Sequence, residues 1–367
     1  MTLKPTAISL FSGMGGDSLG IQEAGFEIIA FNELDEAAVK SHLNNFPHSI
    51  LIQDPTQKKP KDRNNIQIIP DETFLPYKDK IDLVFAGHPC QGFSNGGKKL
   101  PDDPRNTLFR EFARVCRLVK PKYIIGENVD GLLNRKTATG EKYMEVIVKE
   151  FKDIGYNVVY QVCHTVQYGI PQRRKRLVYV GLRHDLKQTY TFPQPLNNGK
   201  TNLPNLQNII QFNMKGAIKI EPDDFDFTSI PEECILTDLN NTETEQDVHP
   251  YLRLKTKTRN QEYNGKIHTN MLSFSKRDSP IHCEIMDIRN PSKTIICSYD
   301  HQPRLFVPLQ NKHGYYIRCI LPDELKQIQG FPAEFKLYGS TKDKIKQIGN
   351  AVPPPLITRI VQNIPMV

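Results

Sequence analysis

The 367-residue chain contains no run approaching the roughly 20 continuous apolar residues of a membrane span, so no membrane-crossing helix is expected. Its first residues, Met1-Thr-Leu-Lys-Pro5, lack a basic segment followed by an apolar one, and a secretory signal is not expected either. Seven cysteines are spaced irregularly, with no Cys-x-x-Cys pair. That argues against a zinc ribbon and a disulfide framework, and for a reducing compartment. Internal repeats are missing, which excludes a solenoid of stacked units. One glycine pattern is also missing. The turn Phe11-Ser12-Gly13-Met14-Gly15-Gly16 is not GxGxxG, which counts against a dinucleotide with its pyrophosphate on a helix N-terminus, and so against a nicotinamide-dependent oxidoreductase. The net charge of +7 is compatible with a polyanionic partner but too modest to demand one.

What is present is a regular alternation. Ala7 to Phe11 reads as a buried strand, Asp17 to Ala24 as a helix, Glu27 to Asn32 as a second strand, and 35–46 as a second helix. Further strands are expected at Ile50 to Gln53, Ile81 to Ala86, Tyr123 to Gly126, Asn157 to Val162 and Arg176 to Leu182. Amphipathic helices are expected at Thr107 to Val119 and Glu141 to Ile154. The pattern predicts an α/β fold with a doubly wound, mostly parallel sheet. Ligands of such sheets bind beyond the carboxyl ends of the strands. The glycine turn, Glu33, Asp54, Pro89-Cys90 and Glu127-Asn128 all fall at such ends and should share one crevice. After about Arg183 the alternation stops. Residues 190–285 are rich in Pro, Asn and Thr; 221–247 carries acidic charges only, whereas Arg253-Leu-Lys255-Thr-Lys257-Thr-Arg259 is basic. This reads as a second, irregular domain. A helix is expected at Leu321 to Ile328, and another at Leu356 to Ile364 after Gly349-Asn350-Ala351-Val352-Pro353.

Several side chains carry chemistry. Cys90 follows a proline at a strand end and opens a Gln-Gly-Phe-Ser loop, a poor place for core packing. A thiolate is the reactive form, with a free pKa near ~8.5, and Arg174 and Arg176 could lower it by folding back over the site. Glu127, beside Asn128, is a candidate proton donor or hydrogen-bond partner; the alternative is a cap on the turn after its strand. The run Arg173-Arg174-Lys175-Arg176 is either a solvated face or a grip on phosphate and carbonyl oxygens, since residues two apart on an extended segment point the same way. Glu33 suits bidentate hydrogen bonding to ribose hydroxyls, or belongs to a plain tight turn. The other cysteines and the scattered histidines have no ligand spacing and are assigned to packing or surface.

The motifs together resemble those of the cytosine-C5 DNA methyltransferases, nearly end to end and in that family's order. They are Phe-Ser-Gly-x-Gly-Gly from Phe11, Pro-Cys-Gln-x-x-Ser from Pro89, Glu-Asn-Val from Glu127, Gln-Arg-x-x-Arg from Gln172, and Gly-Asn-Ala-Val-Pro-Pro from Gly349. Asp103-Pro-Arg-Asn-Thr-Leu-Phe109 and Arg289-x-Pro-Ser-x-Thr294 are similar to two further family motifs.

The resemblance implies a catalytic and cofactor-binding domain over 1–188, a target recognition domain over 189–288, the remainder of the small domain over 289–340, and a segment over 341–367 completing the catalytic domain. It implies S-adenosyl-L-methionine as cofactor, S-adenosyl-L-homocysteine as product, and no metal. Phe11, Gly13, Met14 and Gly16 would line the cofactor, Glu33 would meet its ribose, Asp54 and Pro55 its adenine, and Pro89, Leu108, Asn350 and Ala351 the remainder. Leu34 stands where several relatives place an aromatic ring on the adenine, and Ala351 where some have serine. Cys90 would attack C6 of a flipped-out cytosine, with Glu127 at N3, Arg174 near O2, and Arg176 on a phosphate or holding Glu127. Gln91 and Ser94 would touch DNA as the 91–99 loop closes, and Arg253, Lys255, Lys257 and Arg259 would add backbone contacts. The implied partner is double-stranded DNA, with no membrane. The expected protein is a cytoplasmic monomer (nuclear in a eukaryotic host), a stand-alone modification enzyme whose cognate restriction endonuclease is a separate chain. A tRNA-directed relative would carry Cys-Phe-Thr in its recognition region, which is missing here; a non-catalytic DNA-binding relative would have lost the Pro-Cys pair.

Overall fold

The computed structural model describes residues 4–89, 108–221, 227–244, 284–301 and 303–366, with the backbone alone for 261–263 and 266–268. Its contacts divide into two units: Met1–Asn202 with Glu334–Gly339 and Ala351–Val367, and Leu203–Ala333 with Ser340–Asn350. The boundaries read from the sequence fell after 188, 288 and 340, so the helical segment 340–350 groups with the second unit rather than with the C-terminal stretch that follows it.

In the first unit the chain runs β1 (Thr6–Leu10), α1 (Gly16–Glu23), β2 (Glu27–Asn32), α2 (Glu36–Asn45), β3 (Ile50–Leu51), a single turn α3 (Pro60–Arg63), β4 (Leu83–Ala86), α4 (Phe109–Val119), β5 (Tyr123–Asn128), α5 (Tyr143–Asp153), β6 (Tyr156–His164), a two-residue β7 (Gln172–Arg173) and β8 (Lys175–Arg183). Seven of these strands form one sheet in the order β3-β2-β1-β4-β5-β8-β6. The first five are parallel, as expected, but β8 runs antiparallel to both β5 and β6.

Alternation along the strands feeds two cores. Ile8, Leu10, Val84, Ala86, Ile124, Leu177 and Tyr179 face α4 and α5 residues such as Phe112 and Phe151. Ala7, Leu83, Phe85, Tyr123, Ile125, Val178 and Val180 face the other way, onto Ile21 of α1 and Leu356, Ile357 and Ile360 of the last helix. A period of two with both faces apolar is what a sheet covered on both sides requires. It also holds each strand end in register with its neighbours.

The second unit contains β9 (Ile218–Ile220), β10 (Leu236–Asp238), β11 (Gln261–Tyr263), β12 (Lys266–His268), β13 (Glu284–Ile285), β14 (Ser292–Lys293), β15 (Leu305–Asn311), β16 (Gly314–Cys319), α6 (Pro322–Ile328) and α7 (Thr341–Asn350). The hairpin β15–β16 is the spine of its larger sheet: β10 and β13 lie parallel to β15, and β9 antiparallel to β16. The stretch over 190–285 therefore adds short strands to a hairpin from outside it. The last helix, α8 (Pro354–Gln362), returns to the first unit. Among the described residues, no helix is long and apolar enough to cross a membrane.

Candidate active site

The carboxyl ends of β1 and β2 build the first half of the site. Phe11 and Gly13 both adopt left-handed backbone, at φ 54° and 55°, which turns the chain sharply out of β1 into α1. A side chain at Gly13 would meet nothing within 4 Å, so this glycine opens onto free space. At Gly15 a Cβ would collide with Phe46 and His42, so that glycine is needed for packing. Glu33 clamps the turn: Gly13 N–H donates to its Oε2 at 2.7 Å and Asp35 N–H to its Oε1 at 2.8 Å. Burial pushes the Glu33 carboxyl up, against the pull of these two donors. A partly buried carboxylate beside an open glycine is a fit site for a group bearing vicinal hydroxyls.

Leu34 is 45% exposed beside it, and Pro55 is also exposed. Asp54 is buried and accepts from the Thr56 N–H at 3.0 Å, the Thr56 hydroxyl at 2.7 Å and Gln57 Nε2 at 3.1 Å, which together hold its carboxyl below the usual range. Met14 and Gly16 are buried and present almost no surface, and Leu108 is buried just ahead of α4. Ala351 opens the returning segment of the first unit, whereas Asn350 closes α7 in the second.

The ends of β4, β5 and β8 build the other half. β4 and β5 are neighbours with Ala86 opposite Gly126, so Gly87-His88 leave β4 beside Glu127-Asn128, the last residues of β5. Beyond Pro89 the chain enters Cys90, which with Gln91, Ser94 and 99–107 lies outside the described residues. Arg253, Lys255, Lys257 and Arg259 also lie outside them.

Glu127 is buried and paired with Arg176, whose Nε stands 2.6 Å from its Oε1. The register explains this pairing. Asn128 lies opposite Leu177, so Arg176 projects just past the end of β5. Burial nevertheless outweighs the guanidinium and pushes the Glu127 carboxyl up. Of the two roles offered for Arg176, the geometry supplies the one that holds Glu127. Arg174, also buried, has its backbone pinned by Thr165, whose hydroxyl accepts from Arg174 N–H at 3.0 Å, while its Nη2 reaches the carbonyl of Ala351 at 3.4 Å.

Residues 6–366 match the family model for C-5 cytosine-specific DNA methylases. The chain belongs to that family. It is 31% identical to the Type II methyltransferase M.FnuDI of Fusobacterium nucleatum over 97% of this chain and 93% of that one. It is also 30% identical to M.Eco47II of Escherichia coli, over 95% and 76% respectively. Among solved structures, the fold is shared with a DNMT2 mutant of Spodoptera frugiperda (TM-score 0.63, 18% identity, 97% of this chain and 99% of that one) and with the Dnmt2 of S. pombe (TM-score 0.62, 17% identity, 98% of both). The chain is a DNA cytosine-5-methyltransferase.

Four residues of this methylase went unread in its sequence: His88, Tyr179, Gly126 and Asp17. His88, assigned to packing or surface, is buried between Asn128 and Tyr179, and Tyr179 reaches it only because Gly126 has no side chain: a Cβ there would overlap the tyrosine ring. The one available signal was a histidine directly before Pro-Cys. Asp17 is buried one residue into α1 and bonded by the Ser9 hydroxyl from β1. Burial raises its carboxyl to about 7.

Proposed function

We propose that this methylase transfers the methyl group of S-adenosyl-L-methionine to C5 of a cytosine flipped out of a short specific duplex sequence, through a covalent bond between Cys90 and C6. The observation carrying this reading is the buried Glu127–Arg176 pair, a carboxyl with raised proton affinity beside the strand end that leads into Pro89-Cys90.

C5 of cytosine is a poor nucleophile within an aromatic ring. Addition of the Cys90 thiolate to C6 breaks that aromaticity and builds carbanion character at C5. Negative charge then develops on N3 and O2. Glu127 offsets it at N3 by donating a proton or hydrogen bond, and Arg174 offsets it near O2, where charge-directed groups are worth most. Arg176 orients Glu127 and limits how far its proton affinity rises. S-adenosyl-L-methionine, when bound, would supply the electrophilic methyl group, leaving S-adenosyl-L-homocysteine. A base then takes the C5 proton, and the electron pair it leaves expels the Cys90 thiolate from C6 and restores the ring. Extruding the base costs a few kcal/mol, which contacts in the closed complex must return.

Phe11, Gly13 and Glu33 suit the ribose side of the cofactor, Leu34 and the Asp54-Pro55 turn its adenine, and Leu108 and Ala351 its amino-acid end. The free space at Gly13 and the clamped Glu33 carboxyl support that arrangement. We assign target recognition to the second unit. We also infer a cytoplasmic modification enzyme of a restriction-modification system, acting as a monomer, because relatives with this coverage are Type II methyltransferases of bacteria.

Duplex DNA containing 5-fluorocytosine, incubated with the protein and cofactor, should trap an adduct at Cys90. Cys90→Ser should abolish both adduct and turnover while DNA binding survives. Turnover by that variant would assign the nucleophile elsewhere, and label on tRNA but not on DNA would overturn the substrate.

A further inference from the structure

The buried polar cluster beneath Glu127 has no part in the chemistry just described. His88, Asn128 and Tyr179 are 3%, 1% and 0% exposed. His88 follows the end of β4, Asn128 closes β5 and Tyr179 lies mid-way along β8; these strands carry the chain towards Cys90, hold Glu127 and supply Arg176. A buried polar network costs free energy wherever it is incomplete, and apolar side chains could fill the same volume. Its presence here requires an account.

The hydrogen bonds fix the arrangement atom by atom. Val129 N–H donates to Asn128 Oδ1 at 2.9 Å, which settles the orientation of the amide. Asn128 Nδ2 is thereby turned to His88 and donates both to its carbonyl oxygen at 3.1 Å and to its Nδ1 at 3.0 Å. Nδ1 accepts, so the ring proton resides on Nε2, which faces the Tyr179 hydroxyl at 3.0 Å. A proton added at Nδ1 would set two donors against each other. The surroundings agree: burial lowers His88 to about 4, and no carboxylate bonds to the ring among the described residues.

We propose that His88 is a positioning residue of the methyl-transfer reaction: its uncharged ring, held in one tautomer, locks the end of β5 that bears Glu127 to the end of β4 that leads into Cys90. This rests on the function proposed above and adds to it a residue that touches neither base nor cofactor. Glu127 adjoins Asn128, and Pro89 adjoins His88, so loosening the amide-to-ring bond frees the backbone that positions Glu127 relative to the end of β4. A displacement on the order of 1 Å in such a site costs about 100-fold in rate.

The test uses the full-length protein and three variants. His88→Phe keeps a ring but removes both bonds. His88→Asn places Oδ1 near the position of Nδ1 and so retains the acceptor for Asn128. Tyr179→Phe removes only the bond to Nε2. Single-turnover methyl transfer and adduct trapping on 5-fluorocytosine duplex should both slow by about 30-fold or more in His88→Phe, while cofactor and DNA dissociation constants stay within about threefold. His88→Asn should recover to within about fivefold of wild type, and Tyr179→Phe should fall between them. Wild-type rates in His88→Phe would overturn the proposal, as would equal damage in His88→Asn, or a parallel loss of cofactor and DNA binding. Should His88→Phe fail to fold, the other two decide by the same split between rate and binding. Absence of an adduct with the wild-type protein would overturn the proposed function itself, whereas a wild-type adduct with unaffected variants would overturn this inference alone.

Discussion

Among the described residues, an arginine–glutamate pair lies largely inside each unit of the methylase, and the two are built differently. In the second unit Arg318 is fully buried and grips Glu324 through two bonds, Nη1 to Oε2 at 2.8 Å and Nη2 to Oε1 at 2.7 Å. The same guanidinium donates to the carbonyls of Cys319 and Gln211, both at 2.9 Å, and Glu324 Oε2 accepts the Leu321 N–H at 2.8 Å. The pair stitches β16 to the start of α6. In the first unit Glu127 is held by Arg176 alone among the described residues, and both side chains keep about a tenth of their surface (12% and 10%). A pair in which both carboxylate oxygens are gripped is a clamp. An under-saturated one leaves its carboxyl with raised proton affinity and room for a further partner, as a proton-handling group needs.

The largest effect should come from breaking the clamp. Glu324→Gln leaves a fully buried guanidinium facing a neutral amide and should cost about 3–5 kcal/mol of unfolding free energy. Denaturant unfolding would measure this, and molecules that remain folded should transfer methyl groups at close to the wild-type rate. Glu127→Gln should show the opposite profile. Its methyl-transfer rate should fall about 10²–10³-fold. Its stability should change by less than about 1 kcal/mol, because Arg176 can turn to water and the desolvation cost of the carboxylate disappears. Equal destabilisation of the two variants would erase the distinction between the pairs.

Asp17 sharpens the comparison from another side, since among the described residues no arginine pairs with this buried carboxyl. Burial raises it from 3.8 to about 7, against the lowering effect of the Ser9 hydroxyl. Below pH 4 both folded and unfolded chains hold the proton. Between about 4 and 7 only the folded chain does, so stability from this group is lost as pH rises and stays lost above 7. Asp17→Asn should therefore stabilise the protein at pH 8 by about 2–4 kcal/mol relative to wild type, with the gain fading toward pH 4. A gain independent of pH would show that Asp17 does not carry this proton.

These contrasts mark where sequence reading succeeds. Apolar runs disclosed nearly every strand of the large sheet, because its central strands β1, β4 and β5 are covered on both faces and are apolar almost throughout. The strand ends that carry Glu33, Asp54 and Glu127 were legible for the same reason. The reversed direction of β8 was not: nothing in Lys175–Arg183 distinguishes a parallel from an antiparallel neighbour, and its direction follows from the return at Thr165–Arg174. Gly126 looked like any strand glycine until Tyr179 was seen lying across it. The role of Arg176 was open between phosphate and Glu127, because only the β5–β8 register places it on one of them. His88 escaped notice since its partners lie 40 and 91 residues away, and pairing at that distance leaves no local pattern.

The smallest expected effect tests what Arg176 contributes to its partner. Its positive charge lowers the proton affinity of Glu127, against the stronger effect of burial. Arg176→Gln removes the charge while keeping a hydrogen-bond donor, so the carboxyl should rise further and keep its proton to higher pH. With protonated Glu127 as the form that serves N3, the alkaline limb of the methyl-transfer rate should move to higher pH. The position of the limb is the readout rather than the height of the plateau, since loosening Glu127 lowers the rate at every pH. Arg176→Lys, which restores the charge without the planar fork, should bring the limb back toward its wild-type position. A limb that stays fixed in both variants would mean that another group sets the pH dependence and that Arg176 serves only to hold Glu127 in place.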